Sequence, residues 1–315
     1  MKSKASLSKF NLYHLSKWCW AIFRFVLLVG LGFMILLPVL MQISTSFKST
    51  TDLYDASVYL IPKHFTTYNY RRVWEFVEFP KRFLNSLLFS GASALLQLAS
   101  CTLAGYGLAR FKFRGRGIVM AAVILTLVVP PQSVLLSLFM QFKYFSPATI
   151  LSCGLVLTGV DLTVTPAPIL ILSATAVGFK NGLFIFMLRQ HFKNVPAALE
   201  EAASIDGCGP FQTFFRIVLP GAMPMLASVL LFAFVWQWND YYYSMFLSPG
   251  LKTLSTILLY VGGAITRQDG NVIGSMQITL YNSAMFVLFI IPLIIFYLFT
   301  QKSFVQSIER SGLVG

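Results

Sequence analysis

Residues 21–43 read AIFRFVLLVGLGFMILLPVLMQI, an apolar run with Arg24 as its one charge. A run of about 20 apolar residues is long enough to cross a bilayer as a helix. Inside hydrocarbon the chain must satisfy its own backbone N–H and C=O groups, which leaves helices or closed barrels. Comparable runs occupy 84–108, 117–142, 223–238 and 281–300. A longer apolar region, 148–187, is interrupted by Asp161, Pro166, Pro168 and Lys180. It is apolar for about two spans, and it reads as one span at 169–188 preceded by an extended loop. The expectation is an all-α polytopic membrane protein with six transmembrane helices. Only 11% of residues are charged and 57% are hydrophobic, against about 25% charged in soluble domains, so a soluble fold is excluded. Residues 1–20 form a basic N-terminal segment, and 21–315 read as one membrane domain. The 21–43 run is too long for a signal peptide and holds Pro38 where a small-residue cleavage site would stand.

The net charge of +13 does not indicate a nucleic-acid partner, because the cations fall in short loops between apolar runs. Such charges set membrane orientation. Lys2, Lys4, Lys9 and Lys17 place the N-terminus in the cytoplasm, and Arg110, Lys112, Arg114 and Arg116 do the same for the loop after the second span. Six spans then put Lys302, Arg310 and the C-terminus in the cytoplasm. The 44–82 loop is external in this scheme although it carries six cations, since long loops cross largely regardless of charge. The four cysteines and three histidines are scattered without ligand spacing, so neither a metal site nor a disulfide framework is expected.

Between the fourth and fifth spans stands EEAASIDGCGPFQTFFRIVLPG, residues 200–221. Pro196 suits a first helical turn. Ala197 to Ile205 favour helix, with Glu200 and Glu201 near its positive end. Asp206-Gly207 stops it, since glycine takes the left-handed conformation cheaply. Gly209-Pro210 begins a second helix, in which Phe211, Phe214, Phe215 and Val218 share one face at i, i+3, i+4, i+7. Pro220 marks its exit. The segment is a cytoplasmic helix-turn-helix. On these grounds alone it serves equally as an amphipathic linker lying on the membrane surface.

Glu201-Ala202-Ala203, three residues, Gly207, nine residues, then Ile217-x-Leu219-Pro220 resembles the "EAA" signature of the membrane subunits of ABC importers. Phe65-Thr66-Thr67-Tyr68-Asn69-Tyr70, Asn85-Ser86, Trp238-Asn239-Asp240, Lys252-Thr253-Leu254, Ile291-Pro292 and Gln301-Lys302-Ser303-Phe304-Val305 resemble the MalG-like carbohydrate importer permeases. The extended loop before the fourth span departs from that pattern. The resemblance implies a permease subunit of the bacterial plasma membrane. Its EAA helix docks in a groove on a cytoplasmic ATPase dimer. Glu201 then makes the polar contact, Ala202 and Ala203 allow close approach, and Gly207 makes the turn. Phe211, Phe214 and Phe215 pack the second helix, and Ile217, Leu219 and Pro220 complete the motif. It implies further partners: a second, MalF-like permease subunit, an extracellular solute-binding protein and a sugar. No P-loop pattern G-x-x-x-x-G-K-[ST] occurs in the chain. The chain is therefore expected to be no enzyme and to bind no cofactor, with ATP and Mg²⁺ on the partner ATPase.

The external end of the fifth span, WQWNDYYYSMF, sets Trp236, Trp238, Tyr241 and Tyr242 beside Asn239 and Asp240. Aromatic faces and polar side chains suit a sugar path, and equally an interfacial aromatic belt. Asn239 carries the family's Trp-Asn-acid pattern. An oligosaccharide is the expected cargo. A glycerol phosphate, or secondary transport driven by an ion gradient, is the alternative. Secondary transport usually needs ionisable groups within the membrane, and here only Asp161 and Asp240 stand near apolar runs.

Overall fold

The computed structural model describes residues 2–146, 159–178, 180–270 and 275–312. Residues 147–158 of the 143–168 segment that precedes the predicted fourth span, Cys153 included, lie outside the described residues. The described chain is helical, and it divides into two compact units. One takes residues up to Trp74 and again from Tyr260 to Val287. The other takes Glu75–Leu259 and the chain from Leu288.

In the first unit, α1 (Lys2–Ser46) is an unbroken helix of 45 residues that carries Pro38 inside it. At about 1.5 Å per residue it is roughly twice as long as a bilayer's hydrocarbon core is thick. Its polar C-terminal end is fastened. Ser283 donates to the Gln42 side chain at 2.5 Å, and the Asn69 amide donates to the Ser46 and Lys48 carbonyls, both at 2.9 Å. After α2 (Thr50–Tyr54) the chain doubles back so that Lys48 bridges Phe65. The buried Lys48 ammonium donates to the Val58 and Tyr59 carbonyls at 3.1 and 2.8 Å. Buried cations persist only where such partners exist. Helix α3 (Tyr68–Phe76) follows, and its Arg72 pairs with Asp269 at the end of a later helix, Val261–Gln268.

The second unit is built around α4 (Phe79–Arg110), 32 residues long, which begins before the predicted span 84–108 and ends after it. Next come α5 (Arg116–Val128) and α6 (Pro131–Lys143), bent by 102° at Val129-Pro130, so the predicted third span is not one straight helix. The predicted fourth span is corrected too. It is split into α7 (Ala167–Ala174) and α8 (Asn181–Asn194). Ala176, with φ 59, sits in the break, and the Gly178 N–H turns back to the Leu172 carbonyl at 3.0 Å. Polar Thr175 and Asn181 interrupt the apolar run there, and Asn181 is fully buried with its amide on that same carbonyl at 3.4 Å. Among the described residues, three helices are long and apolar enough to cross a membrane, or five if each of two bent pairs counts as one span. Six spans are not reproduced.

A small residue sets the packing at one position of α4. A Cβ on Gly105 would lie 2.9 Å from the Leu188 Cβ and 3.2 Å from the Arg189 nitrogen, so glycine is what lets α4 and α8 touch at backbone distance. Gly91 has open space around it. A core of Phe89, Leu135, Phe142, Ile169, Leu172 and Leu247 joins α4, α6, α7 and the chain beyond the fifth span.

Candidate functional site: an elbow and a polar cavity

The segment 197–221 folds as the sequence predicts up to its second half. Helix α9 (Ala197–Ile205) closes in a double hydrogen-bonded stop. The Gly207 N–H donates to the Ser204 carbonyl at 3.1 Å and the Cys208 N–H to the Ala203 carbonyl at 2.9 Å. Gly207 has φ 82, the left-handed value this Schellman stop needs. The chain then runs through α10 (Pro210–Thr213), a π turn (Phe214–Val218) and α11 (Leu219–Gly221). It bends by 76° into α12 (Met223–Trp238).

The π turn explains a correction. In an uninterrupted α-helix Phe211, Phe214, Phe215 and Val218 would share a face. Bonding i to i+5 widens the turn, which separates the four into pairs. Phe214 and Val218 are buried, whereas Phe211 is 82% and Phe215 57% exposed. Phe214 meets the Tyr106 ring of α4 at 4.6 Å between centroids. Ile217 and Leu219 are half-buried and Pro220 is exposed. Of the signature residues on α9, Ala203 is buried, while Glu201, Ala202 and Ile205 face outward beside Phe211. The elbow thus presents the carboxylates of Glu201 and Asp206, a small residue and two large apolar groups at its tip.

Two side chains that the sequence reading did not connect tie this elbow to α4. The Arg110 guanidinium donates to the Val195 carbonyl at 2.7 Å and forms an ion pair with Glu200, also at 2.7 Å. Both partners are largely shielded from solvent. Arg110 stood in the sequence only as a topogenic charge; its reach across 90 positions left no local signal.

The aromatic cluster at the end of α12 is dispersed by the structure. Trp238 is 1% exposed, packed against Phe83, Phe234 and Phe289, and its indole N–H donates to the Phe289 carbonyl at 3.3 Å. It is a core residue, which corrects its assignment to a sugar path. Asn239 is exposed and donates to its own helix at the Val235 carbonyl, 2.7 Å away. Tyr241 and Tyr242 meet edge to face, Tyr242 exposed. Trp236 and Asp240 do come together. They line a small cavity of about 50 Å³ with Gln97, Ser173, Lys180 and Gln237. Lys180 holds its ammonium 4.2 Å from the centroid of the Trp236 ring, and Phe184 stacks on that ring at 5.5 Å. Asp240 accepts from the Ser244 N–H and hydroxyl at 2.7 and 2.8 Å. Sequence reasoning missed Gln97 and Gln237 and read Lys180 only as a break in an apolar run, since nothing in the sequence brings the three together until the helices are packed.

Residues 101–310 match the family described as binding-protein-dependent transport system inner membrane component. The diacetylchitobiose uptake system permease protein NgcG of Streptomyces coelicolor is 31% identical over 215 residues, covering 68% of this chain and 65% of its own. The alpha-glucoside transport system permease protein AglG of Rhizobium meliloti is 29% identical over 81% of this chain and 62% of its own. The matched region is thus less than two thirds of the length of these two relatives. The crystal structure of a bacterial ABC transporter involved in the import of the acidic polysaccharide alginate shares the fold. It has a TM-score of 0.71 over 92% of this chain and 98% of that one, at 22% identity.

Proposed function

The chain belongs to the family of binding-protein-dependent transport system inner membrane components, and from that premise we propose that it is a permease subunit of an ATP-driven carbohydrate importer. It works as a multi-pass protein of the bacterial plasma membrane with both termini in the cytoplasm. It forms half of the translocation path, beside a second, MalF-like permease subunit. An extracellular binding protein delivers the cargo, and a cytoplasmic ATPase dimer binds ATP and Mg²⁺ and hydrolyses the nucleotide. This chain holds no cofactor. The alpha-glucoside and diacetylchitobiose permeases among its relatives support an oligosaccharide as cargo.

One observation carries the ATPase contact: the elbow at 197–221 projects Glu201, Ala202, Ile205 and Phe211 outward from a stop fixed by Gly207. A tip that sets exposed Ile205 and Phe211 with the carboxylates of Glu201 and Asp206 is suited to a groove on another protein, where buried apolar groups supply most of the binding energy. Movement of the elbow passes to α4 through Arg110, Glu200 and Tyr106. ATP closing the partner dimer then shifts the population of the spans between inward-facing and outward-facing states.

The test is uptake into proteoliposomes holding both permease subunits and the ATPase, with binding protein outside. Uptake of a neutral oligosaccharide should require ATP inside and survive an uncoupler. Uptake without ATP, or its collapse on uncoupling, would mean secondary transport instead.

A further inference from the structure

The cavity among α4, the α7–α8 break and the end of α12 contains polar groups that the fold leaves unsatisfied. Gln97 is 9% exposed. Its Nε2 makes a long contact of 3.4 Å to the Ser173 hydroxyl, and its Oε1 has no hydrogen-bond partner. Gln237 Nε2 is likewise buried without one. Orphans of this kind are rare in folded proteins because each forfeits its hydration. Here one is an acceptor and the other a donor, and both residues line the same space.

A hydroxyl offers one donated hydrogen and two lone pairs. It can give to Gln97 and receive from Gln237 at once. A carboxylate has no hydrogen for Gln97, and an ammonium has no lone pair for Gln237. Lys180 and Asp240 also line the cavity, and their opposite charges leave its wall without a net preference for either sign. The volume, about 50 Å³, is room for a small hydroxyl-bearing group. Trp236, engaged by Lys180 and Phe184, acts as a wall here and not as a stacking platform.

We propose that this cavity is a subsite of the translocation path that takes one uncharged hydroxyl-bearing arm of the cargo, such as the hydroxymethyl group of a sugar. The proposal rests on the carbohydrate reading above and adds the group that is read and the residues that read it.

The experiment uses the full complex in proteoliposomes with a radiolabelled neutral oligosaccharide that the wild type takes up. Its comparison is an analogue deoxygenated at the hydroxymethyl group. The wild type should move the analogue about tenfold more slowly, because the cavity's donor and acceptor then stay unpaired. Gln97→Leu and Gln237→Leu should each slow the parent sugar by a similar factor and transport the two sugars alike. Both variants should still co-purify with the second permease and the ATPase, which separates the effect from misfolding. A wild type that does not discriminate, or variants that still do, would mean that the cavity holds water only, and would overturn the proposal. If the wild type takes up no oligosaccharide at all, the carbohydrate reading fails first and this proposal falls with it.

Discussion

Gly207 is a residue whose conformation decides its identity. A Cβ built there meets no atom within 4 Å, so the obstacle to substitution is backbone strain alone. A left-handed position costs an L-residue about 1–2 kcal/mol, and asparagine tolerates it better than other residues. Gly207→Leu should therefore disorder the stop after α9 and lose both ATPase co-purification and uptake. Gly207→Asn should keep most of each. This was legible in the sequence because Asp-Gly after a helix-forming run is a local signal. Trp238 was not. The order Trp-x-Trp cannot say which ring turns inward, and helix geometry sends Trp236 to the cavity wall and Trp238 to the core. Trp238→Ala should cost about 3–5 kcal/mol of stability, the usual loss for a buried aromatic. Tyr242→Ala, at a 58% exposed position, should cost almost nothing. Thermal melts of the detergent-solubilised protein would separate the two.

At the scale of elements, close approach and charge pairing carry the predictions. The contact between α4 and α8 depends on Gly105, with Leu188 and Arg189 within reach of any added Cβ. Gly105→Leu should destabilise by more than the 1–3 kcal/mol typical of overpacking, whereas Gly91→Ala, inside the same helix with open space around it, should be neutral or stabilise by up to about 1 kcal/mol. Both are read by melting temperature and by yield of assembled complex. In the loop between α2 and α3, Lys63 and Ser57 bond Asp55 and hold its carboxyl well below the ordinary value. Burial pushes Asp52 up, but bonds from His64 and Lys63 outweigh this and hold it below as well. A depressed carboxyl stabilises above its unfolded pKa and loses that contribution as pH falls through the folded value. Protease susceptibility of this loop should thus be flat above the ordinary aspartate value of 3.8 and rise only below it. Element boundaries were legible where punctuation was strong: the predicted fifth span, 223–238, coincides with α12. They failed at 169–188, where apolar composition concealed a break closed by hydrogen bonds from Gly178 and Asn181 back to the Leu172 carbonyl.

For the whole molecule, composition alone was enough to place the chain among helical membrane proteins, because no other fold accommodates so many long apolar runs. The number of crossings was harder. Bends at Pro130 and near Gly221 depend on how segments pack, and an average of hydropathy is blind to angle. The π turn at Phe214–Val218 lies within the elbow, between its tip and the helix that leaves it. Such a turn is an α-helix holding one surplus residue. Removing that residue would restore ordinary winding and swing everything upstream by about 100° about the axis. Glu201 and Phe211 would then face a different quarter while every side chain on them stayed the same. A single-codon deletion there acts as a change of gear, altering the direction in which the segment faces without altering what it offers.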